Sequence, residues 1–316
     1  MLCYNDDGDM MTKIKNAILI IISIIVILAL CFNFELIAEK LKGLFNITPE
    51  IVIKPANEYT RDTEYKLVKQ VDEYVPYEYQ DLINIFYSTL NQGWDDFTFY
   101  CPVEYANCLK DVEKISLDEV LLSDINNYVH PYNSYSSIKT LYDETGKVEI
   151  LVSHLYGKKD IELSENYINS LFSELIKDDM NTEEKILVLH DYIINNTKYD
   201  SERANQGESK YDSSRIMGII NDHYALCSAY SDLMGVILDK LGVPNFKVSS
   251  ESHVWNAVYL NGKWLHLDLT WDDPITNTGR DILDHHYFLI DNAKLEELSK
   301  DNSDHIFNKN IYAEFK

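Results

Sequence analysis

The chain is short of positive charge. Against 52 Asp and Glu it sets 28 Lys and Arg, a net charge of −24 at pH 7 over 316 residues. Such a surface repels phosphate backbones and anionic headgroups, which argues against nucleic acid or an anionic surface as partner; its plain meaning is solubility. Metal-binding spacings are missing too. Neither C-x-x-C nor H-x-x-x-H occurs, so no metal or other cofactor is expected from the pattern. Internal repeats and low-complexity tracts are absent. Cysteine is scarce at five residues, and only Cys101 and Cys108 are close neighbours. They form a disulfide if this region lies outside the cell, or stay as two reduced core thiols. Long apolar runs are limited to one, AILIIISIIVILALCF from Ala17 to Phe32, preceded by Lys13 and Lys15. No small-x-small cleavage site follows it. An uncleaved signal anchor is the first expectation, with the later residues outside the cytoplasm; secretion after cleavage and a buried core helix are the alternatives. What is abundant is Tyr, at 23, within 46% hydrophobic residues, the composition of a folded chain.

The most informative stretch is Glu251 to Pro274, ESHVWNAVYLNGKWLHLDLTWDDP. Asn261-Gly262 is a strong hairpin signal, because both residues tolerate positive φ. A two-residue loop pairs Leu260 with Lys263, Val258 with Leu265, Asn256 with Leu267 and Trp255 with Asp268. Alternation then puts His253, Trp255, Ala257 and Tyr259 on one face with Trp264, His266, Asp268 and Thr270. His253 and Asp268 become diagonal neighbours, with backbones roughly 7–8 Å apart. A histidine oriented by a carboxylate lacks only a thiol or hydroxyl to make a nucleophilic triad.

Cys227 is the candidate thiol. Leu233, Met234, Ile237, Leu238 and Leu241 follow it at helical spacing, and Gly242 with Pro244 closes that helix. The small Ala229 and Gly235 leave room for another element. A cysteine at a helix start meets unpaired N–H groups and the positive dipole end, which favour a thiolate. The bland readings are a small hydrophobe for Cys227 and a half-buried strand residue for His253. Asp268 resists dismissal, since burying an unpaired carboxylate costs several kcal/mol. A metal site of Cys227, His253, His266 and Asp268 competes, without support from spacing.

Three motifs in order, Cys227-Ser228-Ala229-Tyr230-Ser231, His253-Val254-Trp255-Asn256 and Leu267-Asp268-Leu269-Thr270-Trp271-Asp272-Asp273-Pro274, resemble the transglutaminase-like superfamily of papain-related cysteine enzymes. The helix read over Thr182 to Asp200, opened by an Asn181-x-x-Glu184 capping box, is similar to one preceding the core of that family. Tyr287-Phe288-Leu289 resembles a strand that follows the hairpin. The resemblance implies Cys227 as nucleophile, His253 as base and Asp268 as orienting carboxylate, with a protein or peptide amide, at the cell surface among the options, as substrate. It leaves open hydrolysis, amine transfer, or a binding scaffold that keeps the fold without turnover. Where relatives are glycine-rich before the cysteine, this chain has Asn221 to Leu226, NDHYAL. His223 or Tyr224 there either points into the site or belongs to an ordinary loop.

The expected fold class is α+β: a membrane anchor (1–37, apolar over 17–32), a tether (38–60), an α+β accessory region (61–178) and a papain-like transglutaminase core (179–316). Within the accessory region the pattern predicts helices over Tyr77–Asn91, Glu104–Ile115, Ser116–Tyr128 and Ile161–Ile176. It also predicts a strand at Phe97–Tyr100 and a hairpin of Ser136–Tyr142 with Lys147–Tyr156. This region either stands as its own domain or packs on the core. His285-His286 invites a metal hypothesis, but adjacent strand residues face opposite ways. Lys294 to Lys316 reads as a charged helix and a short tail holding His305.

Overall fold

The computed structural model describes residues 15, 16, 18–24, 27, 50–274 and 282–316. They fall into two compact units, Met1–Glu50 and Ile51–Lys316. In the first, residues 18–24 are helical with exposed isoleucines. No helix among the described residues is long and apolar enough to cross a membrane, so the expected anchor over 17–32 gains no support from them. Residues 17, 25, 26 and 28–32 of that segment, and 38–49 of the tether, lie outside the described residues.

The second unit begins with an extended segment. Residues 51–60 of the expected tether run along the folded body, where Pro55 accepts from the Trp94 indole (3.1 Å) and Asn57 bonds Asn133 (2.7 Å). Helix α1 (Tyr79–Asn91) buries Leu82, Ile83, Phe86 and Leu90, as the helical spacing demands. Asp81 caps its start by accepting from the backbone of Tyr77 and Glu78, and Gly93 (φ 67°) ends it. β1 (Asp96–Tyr100), β2 (Tyr135–Tyr142) and β3 (Lys147–His154) make an antiparallel sheet of order β1-β3-β2. Its β2–β3 turn uses Gly146 at φ 85°.

The helices between β1 and β2 start later than the pattern predicts: α2 is Cys108–Leu117 and α3 is Glu119–Asn126. Asp118 leaves the helical region (φ −92°, ψ 85°) and accepts from Leu121 N at 2.9 Å, so a side-chain cap restarts the chain two residues beyond Ser116. Cys101 and Cys108 form a disulfide with Cα atoms 5.7 Å apart, which decides between the two alternatives for that pair.

Helix α4 (Lys158–Leu175) leads to α5 (Thr182–Asn195), whose capping box forms as read: Asn181 Oδ1 accepts from Glu184 N and Glu184 Oε2 from Asn181 N. α5 stops at Asn195, short of the expected Asp200, and the chain forms β4 (Lys198–Tyr199) and α6 (Ser201–Gln206). β4 pairs in parallel with β5 (Tyr224–Ala225), immediately before α7 (Cys227–Lys240). β6 (Asn245–Ser249), β7 (Val254–Leu260) and β8 (Lys263–Leu267) form an antiparallel sheet on α7. The hairpin register is the predicted one from Leu260↔Lys263 to Asn256↔Leu267, with Asn261 and Gly262 at φ 54° and 82°. Tyr287–Leu289 is not a strand: Leu289 turns to φ 51°, leaving one bridge, His266↔Ile290. The expected terminal helix is only α8 (Asn292–Leu298), followed by an irregular tail.

That tail is buried cargo. Tyr312 is fully buried, its hydroxyl donating to Asp124 (2.6 Å), and Phe315 stacks on His266 at 3.9 Å. One core joins Leu82 of α1 and Phe97 and Val148 of the first sheet to Phe246, Trp255 and Tyr312. Residues 61–178 therefore pack on the later half of the chain. The polar fastening is Arg61, whose guanidinium donates to Asp239 on α7 (2.7 Å), to the carbonyls of Tyr128 and Val129, and to Asn245. Removing one partner of so enclosed a pair strands the other charge. Asp239→Ala should destabilise the protein by about 3–5 kcal/mol, read as a lowered urea midpoint; a midpoint within error of wild type would refute this account of the join.

Candidate active site

Cys227 opens α7 as its first helical residue, behind Leu226 in extended conformation. No side chain caps this end; Ala229 N turns back to Leu226 O (3.1 Å), and the N–H groups of Cys227 and Ser228 lie nearest the thiol. Cys227 is reduced and half-buried. Its position is fixed from three sides. Leu226 N donates to Ser213 O, Ser228 Oγ donates to Ser214 O, and Ser231 Oγ bridges the carbonyls of Cys227 (2.6 Å) and Val254 (3.0 Å). Ser231 O in turn accepts from the Asn256 amide, tying the helix to β7. A Cβ on Gly235 would stand 3.1 Å from Pro131 and 3.7 Å from Asn256, so the small residue does admit the neighbouring elements.

His253 sits in the tight turn entering β7, its backbone N bonded to Ser250 Oγ. The ladder stops at Leu267, so Trp255 and Asp268 do not pair as expected; Asp268 N instead donates to Tyr287 O. The side chains still meet. His253 Nε2 and Asp268 Oδ2 are 2.6 Å apart, which leaves Nδ1 of the ring for the Cys227 side. Asp268 Oδ1 accepts from Thr270 N (2.9 Å) and Trp271 N (3.2 Å), an Asx turn at the strand end. Asp268 is 1% exposed and His253 8%.

The electrostatics follow from that burial. Desolvation alone would depress His253, but the Asp268 charge and hydrogen bond outweigh it and Cys227 adds to them, raising the imidazole to about 10. Desolvation alone would raise Asp268; the His253 charge and the bonds from both histidines outweigh it and hold the carboxyl below its usual range. The resting pair is imidazolium and carboxylate.

Three features escaped the sequence. His305, from the tail, lies 2.9 Å from the same Asp268 Oδ2, with its Nδ1 on Ser299 Oγ. Nothing in its spacing marks it, because the tail reaches the site through irregular backbone. Tyr199 stands close enough to Cys227 to feel its charge; burial first, and that charge second, push the phenol to about 12. Gly218 is the glycine that the loop before Cys227 needs. A Cβ there would sit 2.6 Å from the Asp212 and Tyr224 carbonyls, so the close approach lies upstream of NDHYAL. Within NDHYAL, His223 is exposed in a left-handed turn (φ 60°) and Tyr224 stacks on Tyr211 at 4.0 Å. NDHYAL is thus the end of a π-helical turn (Gly218–Asp222), a left-handed residue and the short strand β5, which pairs with β4.

Of the tryptophans, Trp255 stacks on His253 and Trp271 packs on His305, while Trp264 lies in the core against Phe246. His266 is not gathered with Cys227, His253 and Asp268. Its Nδ1 accepts from the Trp255 indole (3.0 Å), and burial drives its pKa down to about 3.

Residues 169–269 match the family model of the transglutaminase-like superfamily core. This stretch carries a transglutaminase-like domain. The matched third of the chain contains Cys227, His253 and Asp268. Kyphoscoliosis peptidase of Mus musculus is 24% identical over 190 residues, covering 53% of this chain and 28% of that protein. The chain thus spans little more than a quarter of that relative. Among solved structures, a TGase aligns over 43% of this chain and 44% of its own, at 17% identity and TM-score 0.31. A candidate cysteine protease from Cytophaga hutchinsonii aligns over 42% and 61%, at 15% identity and TM-score 0.26.

The ion pair makes stability depend on pH in a defined direction. A histidine whose folded pKa is raised contributes stability that is full below its unfolded value, about 6.5, and is lost as pH climbs through about 10. The depressed Asp268 contributes above about 4 and loses that contribution in acid. Wild type should therefore lose stability to His253→Gln most strongly between about pH 4 and 6.5, the difference shrinking towards pH 10. Urea midpoints that differ equally at all pH values would show that His253 is not charged in the folded protein.

Proposed function

We propose that this protein is a thiol-dependent acyl enzyme acting on peptide or side-chain amides. The observation that carries the reading is the 2.6 Å contact of His253 with a fully buried Asp268, beside a reduced cysteine at a helix N-terminus. Cys227 attacks the amide carbonyl as its thiolate. His253, with Nε2 held by Asp268, presents Nδ1 to the sulfur side; it gives its proton to the leaving amine and later takes one from the incoming nucleophile. Asp268 keeps the ring oriented and balances its charge. N–H groups of the first turn of α7 receive the developing oxyanion. Trp255 and Trp271 flank the two histidines and exclude water from the ion pair.

Release of the acyl-enzyme by water makes the protein a peptidase or amidase, and release by an amine makes it a cross-linking enzyme. The likeness to a protein named as a peptidase favours water. A disulfide between Cys101 and Cys108 supports an oxidising compartment, and with it a substrate outside the cytoplasm.

The decisive experiment incubates the protein with a glutamine-rich polypeptide, with and without a labelled primary amine, beside Cys227→Ala. New peptide ends or ammonia that vanish in the variant support hydrolysis, and labelling that vanishes supports transfer. The reactivity of the thiol is read in parallel. Iodoacetamide should modify Cys227 at neutral pH at least about tenfold faster than in His253→Gln, because the imidazolium no longer stabilises the thiolate. A wild-type Cys227 as inert as the variant's would overturn the enzyme reading and leave a scaffold.

A further inference from the structure

A second group of histidines and carboxylates lies on the other side of the Asp268–Asp273 turn, outside the catalytic machinery. His190, in α5, is fully buried, and both of its ring nitrogens face carboxylate oxygens: Nδ1 is 2.9 Å from Asp191 Oδ1 and Nε2 is 3.2 Å from Asp272 Oδ2. His285 directs its Nε2 at the same Asp191 Oδ1, 2.8 Å away. Its neighbour His286 turns off to Asp284 (2.5 Å).

A neutral imidazole has one N–H, so it can satisfy one of the two carboxylates and must aim a lone pair at the other. Asp272 is the buried one and is held by Tyr287 N (2.9 Å), so the proton belongs on Nε2. Nδ1 then confronts Asp191, and His285 adds a third donor atom to that spot. A metal ion at this spot would replace the protons that now bridge these atoms at hydrogen-bond distance.

We propose that His190 Nδ1, Asp191 Oδ1 and His285 Nε2 form a binding site for a divalent transition ion of the zinc class, with Asp272 as the carboxylate behind His190. Two imidazoles and one carboxylate suit zinc, whereas calcium and magnesium prefer all-oxygen shells. Donors about 2.0–2.1 Å from zinc at tetrahedral angles stand roughly 3.3 Å apart. The present separations of 2.8 and 2.9 Å need opening by about 0.4 Å. Side chains 31% and 44% exposed, Asp191 and His285, have the freedom to do so. The same exposure leaves the fourth position to water. A carboxylate on the far nitrogen of a ligating histidine fixes its tautomer and raises its basicity, which is the role Asp272 is placed to fill. Two carboxylates with two neutral rings carry a charge that a divalent ion cancels. Because Asp272 N donates to Asp268 O, an ion here fastens α5 to the turn that carries Asp268.

The test uses the full chain carrying Cys227→Ala, so that the thiol binds nothing, stripped of metal and titrated calorimetrically with Zn²⁺ near neutral pH. One equivalent should bind. His285→Ala, at an exposed position, and Asp191→Asn, which keeps the side chain's shape at a half-buried one, should each weaken binding at least about tenfold, while His286→Ala leaves it unchanged. Co²⁺ in place of Zn²⁺ should give the visible absorption of a four- or five-coordinate site, lost with His285→Ala. Absence of stoichiometric binding, or equal affinity in the His285 variant, overturns the proposal. In that event His190 should prove doubly protonated by nitrogen NMR, a buried imidazolium between two carboxylates.

Discussion

The structure is organised around the cost of hiding one negative charge. Asp268 has no access to solvent, so every lone pair it presents has to be met from within. The chain meets them with two backbone amides, from Thr270 and Trp271, and two imidazoles, from His253 and His305. Each donor is supplied by a different piece of architecture. The amides require the strand to end and turn at once. His253 requires the β6–β7 turn to stand beside the end of β8, and His305 requires the tail to return across the sheet. The charge on the carboxylate is what gives His253 its own charge. The three residues are better described as one electrostatic unit than as a row of separate roles.

Local signals carried the catalytic half of the molecule. The Asn261-Gly262 turn specified the hairpin register to the residue, because positive φ at two consecutive positions admits few other sequences. The capping box at Asn181 and the apolar stripe of α7 were equally readable, since both rest on contacts within a few residues. What failed to show in the sequence was whatever depended on contacts between distant segments. The break between two helices was read at Ser116, and the Asp118 side-chain cap places it two residues later. The packing of residues 61–178 on the core depends on Arg61 meeting Asp239, which no period encodes. His305 and Tyr199 reach the thiol–imidazole pair from irregular backbone and a two-residue strand, elements too short to leave a pattern.

The glycine question illustrates the same division. The expectation of flexible residues directly before Cys227 rested on likeness to relatives, and the chain departs from it. The physical need, a backbone passing too close for a side chain, is met at Gly218 instead, nine residues before Cys227. A constraint on space can move along the chain as long as the same volume stays empty. Sequence motifs record the usual address of such a constraint, while the fold records its cause.

The burial of the tail bears on how the site is completed. Residues of the tail supply His305 to Asp268, Tyr312 to the pocket of Asp124, and Phe315 as a lid on His266. In the chain, His305 stands 37 positions beyond Asp268, and Tyr312 stands 188 beyond Asp124. Without these side chains, the carboxylate lacks a donor and the hydrophobic sheet face lacks its cover. A chain cut within the tail before residue 305 loses the donor to Asp268, the hydroxyl on Asp124 and the ring on His266 together, so one distant segment closes the carboxylate site and the sheet face at once.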